Sequence, residues 1–161
     1  MTKRIIAVVL AALLVFGLAA CGSAKEKTFS VEELSVKLND SFKESDYEGY
    51  TKCFENSDTA IFVLREDKSL LGGQSITLED YGRLCRVANA ARNPGEIKDQ
   101  GGVPVFEYDF TNTESKVKYH YYTAMYESEK AFWLVQFVCE SAKFSNRQAE
   151  FAGWAKGVSF K

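Results

Sequence analysis

Alternating apolar and polar residues in the second half of the chain constrain its fold more than any other feature. The segment 106–110 (FEYDF) alternates aromatic with acidic residues, and 116–127 (KVKYHYYTAMYE) keeps largely the same period. The segment 131–139 (AFWLVQFVC) is instead apolar on both sides. Since successive side chains of a strand point to opposite faces, these patterns predict three strands, with 131–139 central in the sheet. The polar residues 127–130 predict the loop between the last two strands.

The preceding part of the chain carries a weaker pattern. The segment 31–42 (VEELSVKLNDSF) has two interpretations: a helix, from its charged residues, or a half-buried strand, from the alternation in LSVKL. We favour the strand. The segments 50–54 and 59–65 flank a short loop rich in Asn, Ser and Asp, which predicts a hairpin.

Capping signals predict two helices. Thr77 followed by Asp80 resembles a capping box and predicts a helix from residue 77 to about residue 91, and Ser145 with Gln148 predicts the start of a C-terminal helix. The residues expected to face the core are Leu78, Tyr81, Leu84, Cys85 and Ala88 in the first helix, and Phe151, Trp154, Ala155 and Val158 in the second. The predicted fold class is α+β: an antiparallel sheet of about six strands in two three-strand-plus-helix halves, covered by helices.

The N-terminus has the pattern of an export signal. Two basic residues, Lys3 and Arg4, precede the charge-free run 5–20 (IIAVVLAALLVFGLAA). As a helix, those 16 residues reach about 24 Å, which is short for a membrane span. A cleaved signal peptide therefore explains the run better than a transmembrane helix.

The tetrad Leu18-Ala19-Ala20-Cys21 resembles the bacterial lipobox. The resemblance implies cleavage between Ala20 and Cys21 and attachment of a diacylglyceryl group to the Cys21 sulfur. Because two acyl chains anchor a protein stably where one does not, the mature protein is expected to be tethered to the extracytoplasmic face of the cell membrane.

These observations divide the chain into three parts. Residues 1–20 form the lipoprotein signal peptide, 21–28 the lipidated cysteine and a polar linker, and 29–161 a single domain. Loss of two basic residues with the signal takes the formal net charge from -2 to -4. An acidic domain without a basic patch is a poor binder of nucleic acid, so that class of partner is excluded.

Five segments together resemble the PsbP-like family, which is named after a photosystem accessory protein and includes small bacterial lipoproteins. The residues that carry the resemblance are 34–38 (LSVKL), 75–81 (SITLEDY), 101–110 (GGVPVFEYDF), 131–137 (AFWLVQF) and 151–160 (FAGWAKGVSF). The resemblance covers most of residues 29–161 and implies an antiparallel sheet covered by helices. It supplies no shared catalytic residues and no cofactor, and fold alone does not assign function.

Few residues are suited to chemistry. His120 is the only histidine, and a catalytic base would need a nucleophile and an orienting carboxylate beside it; we favour a structural or surface-strand histidine. No histidine or cysteine pair has metal-ligand spacing, so no metal site is expected. Beyond the lipobox, Cys53, Cys85 and Cys139 are interpreted as buried thiols, the alternative being one disulfide and one free thiol.

The tyrosines at 119, 121, 122 and 126 also have two interpretations. They could line a groove for a peptide or glycan, or pack across strands beneath a helix, which we favour.

Three hypotheses for the whole chain follow. The leading one is a non-catalytic, membrane-anchored binding or accessory module for an envelope protein or other envelope component. The others are a small-ligand carrier with a pocket between sheet and helix, and a small hydrolase using His120.

Overall fold

A computed structural model describes residues 25–71 and 75–161. The predicted signal peptide, its cleavage site and Cys21 lie outside the described residues. Within them, no helix combines the length and the hydropathy that a membrane crossing requires.

The strands are β1 (Glu26–Val31), β2 (Leu34–Asn39), β3 (Lys43–Ser45), β4 (Lys52–Glu55), β5 (Thr59–Asp67), β6 (Lys98–Asp99), β7 (Pro104–Thr111), β8 (Lys118–Glu127), β9 (Ala131–Glu140) and β10 (Ser159–Phe160). The helices are α1 (Leu78–Ala88) and α2 (Phe144–Lys156), with 3-10 turns at Lys68–Leu71, Ala90–Arg92 and Ser141–Lys143.

The strands form two antiparallel sheets. The large sheet has the order β3-β4-β5-β9-β8-β7-β6, and the small sheet has the order β1-β2-β10. β9 is the fourth of seven strands and is buried along all but its last residue, which confirms the central position predicted for 131–139. The predicted hairpins are also confirmed, as β4 with β5 and as β8 with β9.

The prediction of about six strands in one sheet is wrong in number and arrangement. The segment 31–42 is not one strand, because the chain turns after Val31, with Glu32 at a φ of 52°, and β2 starts at Leu34. The resulting hairpin of β1 and β2 belongs to the separate small sheet. β1 also begins at Glu26, so residues 26–28 are paired in a sheet rather than part of a linker.

Each face of the large sheet has its own cover. On one face, α2 and the small sheet enclose the main core, where Phe151 of α2 packs with Trp133, Val135 and Phe137 of β9. On the other face, α1 packs at one end of the sheet only. There Tyr81 stacks on Phe132 with ring centroids 4.7 Å apart.

The start of α1 confirms the predicted capping box. The Thr77 side chain accepts a hydrogen bond from the Asp80 backbone N–H at 3.1 Å, and the Asp80 carboxylate accepts one from the Thr77 N–H at 3.3 Å. The helix itself ends at Ala88, earlier than predicted, and a 3-10 turn follows. The corresponding prediction for Ser145 is wrong, since α2 begins at Phe144 and has no side-chain cap.

Two residues of the predicted core face of α1 lie in solvent. Leu84 is 51% exposed, and Ala88 is also exposed. The reason is Gly82, where an added Cβ would lie 2.9 Å from Ile97 Cδ1 and 3.0 Å from Met125 Sδ. The helix therefore approaches the sheet along its glycine, and this close approach rotates Leu84 outward.

Arg65 on β5 joins the two sheets. Its guanidinium lies 2.9 Å from the Glu32 carboxylate in the turn of the small sheet and 2.8 Å from Asp67, and it covers the Trp133 ring. The Arg65 side chain is only 16% exposed, so the guanidinium end of these ion pairs is largely shielded from water, whereas the Glu32 and Asp67 carboxylates are about half exposed.

We expect Arg65→Met to lower the free energy of unfolding by about 1–3 kcal/mol, because it retains the packing on Trp133 but removes the guanidinium from partly buried carboxylates. The matched control is Lys37→Met, which breaks the exposed ion pair with Glu26 and should cost less than about 0.5 kcal/mol. Urea denaturation of both variants measures the difference. Equal stability of the two variants contradicts the role of Arg65.

Candidate functional site

A groove lies on the part of the large sheet that α1 leaves uncovered. α1 has 11 residues and is about 16 Å long, and it packs near Met125, Phe132 and Leu134. Beyond it the sheet surface opens into a cavity of about 340 Å³. We call this the aromatic groove; its lining residues are Tyr47, Tyr50, Ala60, Phe62, Phe110, Asn112, Tyr119, Tyr121 and Val138.

Small side chains on adjacent strands form the floor of the groove. Ala60 of β5 pairs with Val138 of β9, and these two side chains form the floor, whereas Tyr121 of β8, which pairs with Val138, belongs to the β8 side of the groove. Side chains at paired positions share one face of a sheet. Larger residues stand on both sides of this row, Phe62 on the β5 side and Tyr119 on the β8 side. The groove is thus a depression produced by the size difference between neighbouring side chains.

Aromatic contacts hold the wall on the β5 side. Phe62 contacts Tyr50 with a centroid distance of 4.8 Å, and Tyr47 meets the same ring edge-on at 5.5 Å. Tyr47 is 60% exposed, so much of its ring is available to solvent. On the β8 side, Tyr121 stacks on Tyr108 at 4.8 Å. These contacts fix the rings before any ligand arrives.

A buried amide fixes the tyrosines further. Gln136 of β9 accepts a hydrogen bond from the Tyr50 hydroxyl at 3.1 Å and donates one to the Tyr108 hydroxyl at 2.9 Å. Burial raises the pKa of Tyr108 to about 12 and also raises the pKa of Tyr50, although the nearby Arg92 acts in the opposite direction on both. The phenols are therefore neutral at physiological pH.

Several hydrogen-bonding groups of the groove lack protein partners. Among the described residues, Tyr50 alone of the four groove tyrosines has its hydroxyl bonded to the protein, which leaves those of Tyr47, Tyr119 and Tyr121 for solvent or ligand. Asn112 uses its Oδ1 to accept two backbone N–H groups at 2.9 Å, so its Nδ2 donor is free of these bonds. The groove therefore combines apolar ring faces with neutral polar tips.

The tyrosine segment 119–126 divides between the two faces of the sheet. Tyr119 and Tyr121 line the groove, whereas Tyr122 is buried beneath α2 and the Tyr126 hydroxyl donates to the Ala155 carbonyl of α2 at 2.7 Å. Two of the four tyrosines thus line a groove, and the other two pack beneath a helix as we favoured. Sequence reasoning missed Tyr47, Tyr50 and Phe62, and the one available signal was an alternation in β5 that places Ala60 and Phe62 on the same face.

His120 is not on a solvated face. Its side chain is 15% exposed and stacks on Phe144 of α2 at a centroid distance of 3.7 Å. Nε2 lies 3.0 Å from a Glu107 oxygen and Nδ1 lies 3.0 Å from an Asp109 oxygen. Of the two roles that we favoured, structural or surface-strand, this packing fits the structural one. The carboxylates belong to the partner strand, where Asp109 pairs directly with His120.

These contacts set the charge of His120. Burial alone lowers the pKa of the imidazole, but the hydrogen bonds and negative charges of Glu107 and Asp109 more than offset it, so the pKa is raised above its ordinary value. With both ring nitrogens bonded to carboxylates, neither is open to accept a proton from a nucleophile.

Cys139 is the cross-strand neighbour of His120. Burial raises the pKa of the Cys139 thiol, whereas the pKa of a catalytic cysteine is lowered.

The three cysteines of the domain are free and buried, as we favoured. Burial raises the pKa of Cys53 and of Cys85 to about 11, so both are uncharged thiols at neutral pH. Within residues 25–71 and 75–161, no group of three or more potential ligands from His, Cys, Asp and Glu is placed to hold a metal ion.

No family model and no curated protein matches this chain. Solved structures do match. The solution structure of cyanobacterial PsbP (CyanoP) from Synechocystis sp. PCC 6803 aligns with a TM-score of 0.56 and 13% identity, over 88% of this chain and 96% of that one. A crystal structure from Bacteroides thetaiotaomicron VPI-5482 aligns with a TM-score of 0.60 and 13% identity over 84% of this chain, which spans 48% of that protein. LpqN, a Mycobacterium tuberculosis protein involved in cell envelope biogenesis, aligns with a TM-score of 0.48 and 8% identity over 87% and 92%.

The domain therefore has the PsbP-like fold that the sequence resemblance implied. At 13% identity the likeness is one of fold, so the function has to be argued from the residues of this chain.

We expect the interactions of His120 with Glu107 and Asp109 to stabilise the fold in a defined pH range. Because the folded pKa lies above the unfolded value of about 6.5, the contribution of His120 is fully present below about pH 6.5 and is lost as the pH rises through the folded pKa. His120→Gln should therefore cost more stability at pH 6 than at pH 9. NMR titration of the single imidazole should give a midpoint above about 6.5, and a midpoint at or below that value contradicts the ion pair.

Proposed function

We propose that this chain is a membrane-anchored extracytoplasmic lipoprotein whose domain is a non-catalytic binding or accessory module acting through the aromatic groove. The observation that carries the proposal is the groove itself. It joins exposed ring faces to neutral polar tips on a sheet face that the protein leaves uncovered beyond α1. Binding sites are typically concave and mostly apolar, with a few convergent polar groups.

The predicted lipobox indicates where in the cell this module is located. If Cys21 carries the diacylglyceryl group, five residue steps separate it from the start of β1 at Glu26, a distance of at most about 17 Å. The small sheet is then held close to the membrane. The groove lies on the opposite face of the large sheet, so the tether leaves it open to the envelope.

The arrangement of His120 argues against the hydrolase alternative, since its two ring nitrogens are occupied by carboxylates. The carrier alternative needs a pocket between sheet and helix. The space under α1 is filled by the stack of Tyr81 on Phe132 and by the close approach at Gly82. An open groove beside the helix favours a module that docks onto a ligand or partner over one that encloses it.

We expect mass spectrometry of the mature protein to find Cys21 at the N-terminus with a diacylglyceryl group. Cys21→Ser should abolish lipidation and cleavage at Ala20, because the thioether requires a sulfur at this position. Ser23→Ala is the matched control and should be processed like the wild type. An unmodified N-terminus beyond Cys21 contradicts the anchor.

We expect Tyr47→Ala to weaken retention of the cognate envelope component about tenfold, since an exposed aromatic anchor is a common hot spot of binding. The assay compares immobilised full-length wild type and variant exposed to solubilised envelopes, with bound protein, lipid and carbohydrate quantified. The control is Val87→Ala on the outer side of α1, where the side chain is 72% exposed and does not line the groove. Equal retention by all three proteins contradicts binding at the groove.

A further inference from the structure

We infer that the aromatic groove binds a neutral saccharide of one to three rings. This inference rests on the proposal that the groove is the binding site, and it goes further by naming the chemical class of the ligand. It is carried by the charge of the groove, by the placement of its hydrogen-bonding groups, by its position on the sheet and by its size.

The lining carries no charged side chain, although 26% of the chain is charged. Burial raises the pKa values of Tyr50 and Tyr121, which keeps these phenols neutral. The guanidinium of Arg92 lies outside the lining, 5.3 Å from the centroid of the Phe110 ring and 5.6 Å from that of Tyr108, and it also bonds to Asn89. The charge of Arg92 reaches the groove, where it opposes the effect of burial on the pKa values of Tyr50 and Tyr121, but its guanidinium is already bonded to Asn89. An ionic ligand would therefore lose its hydration with no charged group of the lining to replace it.

Polar groups stand on opposite sides of the groove. The Tyr47 hydroxyl belongs to the wall on the β5 side, and the Tyr119 hydroxyl and the Asn112 amide belong to the β8 side. A ligand that satisfies both sides needs hydrogen-bonding groups around its perimeter and apolar faces between them. A pyranose ring has this distribution, with hydroxyls at its edge and C–H groups on its faces that pack on aromatic rings.

Other ligand classes fit less well. An extended peptide adds to a sheet through the backbone of an edge strand, but the groove lies on the face of the inner strands β5, β9 and β8, whose backbones are already paired. An acyl chain would cover the hydroxyls of Tyr119 and Tyr121 and the Asn112 amide without replacing their hydrogen bonds to water. A saccharide avoids both penalties.

The size of the groove limits the length of the saccharide. A cavity of about 340 Å³ is at the small end of the range for ligand pockets. It holds one or two rings, and the open side lets a third ring extend into solvent. The ring of Tyr47 is 60% exposed and so is available to contact that extension.

The test titrates the full-length protein, in a detergent without a sugar headgroup, with four probes: cellotriose, maltotriose, chitotriose and the charged tri-galacturonate. We expect at least one neutral probe to bind with a dissociation constant below about 10 mM by calorimetry or NMR. Ala60→Phe fills the floor of the groove and should weaken that binding at least about tenfold. Val87→Ala should leave it unchanged.

A second variant, Tyr119→Phe, keeps the test valid if Ala60→Phe does not fold. Tyr119→Phe removes one hydroxyl and no packing, and it should weaken binding about two- to tenfold. Saccharide binding that neither variant weakens overturns the assignment to the groove. Absence of binding by every neutral probe, or tighter binding of tri-galacturonate, overturns the neutral saccharide. In those cases, loss of envelope retention in Tyr47→Ala still supports the proposed function, so the two failures are distinguishable.

Discussion

The burial of β9 on both faces is the constraint on which the rest of the structure depends. An apolar strand at the centre of a sheet needs a cover on each side, because either face left in water would forfeit the burial that stabilises the fold. α2 and the small sheet cover one face and enclose the main core. On the other face, the single helix α1 covers one end, and the uncovered end carries the aromatic groove. The candidate site is thus where the layered packing is incomplete.

Gln136 connects this core to the groove. It is the polar residue of the otherwise apolar segment 131–139, and burying an amide is costly unless its hydrogen bonds are made. The Tyr50 and Tyr108 hydroxyls make them, so the same interaction that satisfies Gln136 also orients one wall of the groove. On the opposite face, His120 is satisfied in the same way by Glu107 and Asp109. Gln136 and His120 thus each bond to two side chains, and the bonds of Gln136 shape a surface.

Much of the fold could be predicted from local pattern. The two-residue period predicted β7 and β8, the doubly apolar run predicted β9, and the capping box predicted the start of α1. The failures have a non-local cause. Leu84 has the helical spacing of a core residue, but the glycine contact with Ile97 and Met125 sets the rotation of α1 and leaves Leu84 exposed. The turn after Val31 was not predicted, because Glu32 adopts a positive φ and no local sequence pattern indicates this.

The sequence by itself determined the strands, the hairpins and the helix start, because these depend on residues that are neighbours along the chain. It also contains the tetrad Leu18-Ala19-Ala20-Cys21, which resembles a lipobox and from which we propose the location of the protein. Tertiary structure alone decided the groove, because Ala60, Val138 and Tyr121 come together only through the register of three strands. It also decided the state of His120, because Asp109 is its neighbour across the sheet rather than along the chain. Contacts between distant residues follow from strand pairing and from which face each helix covers, and a local pattern does not contain that information.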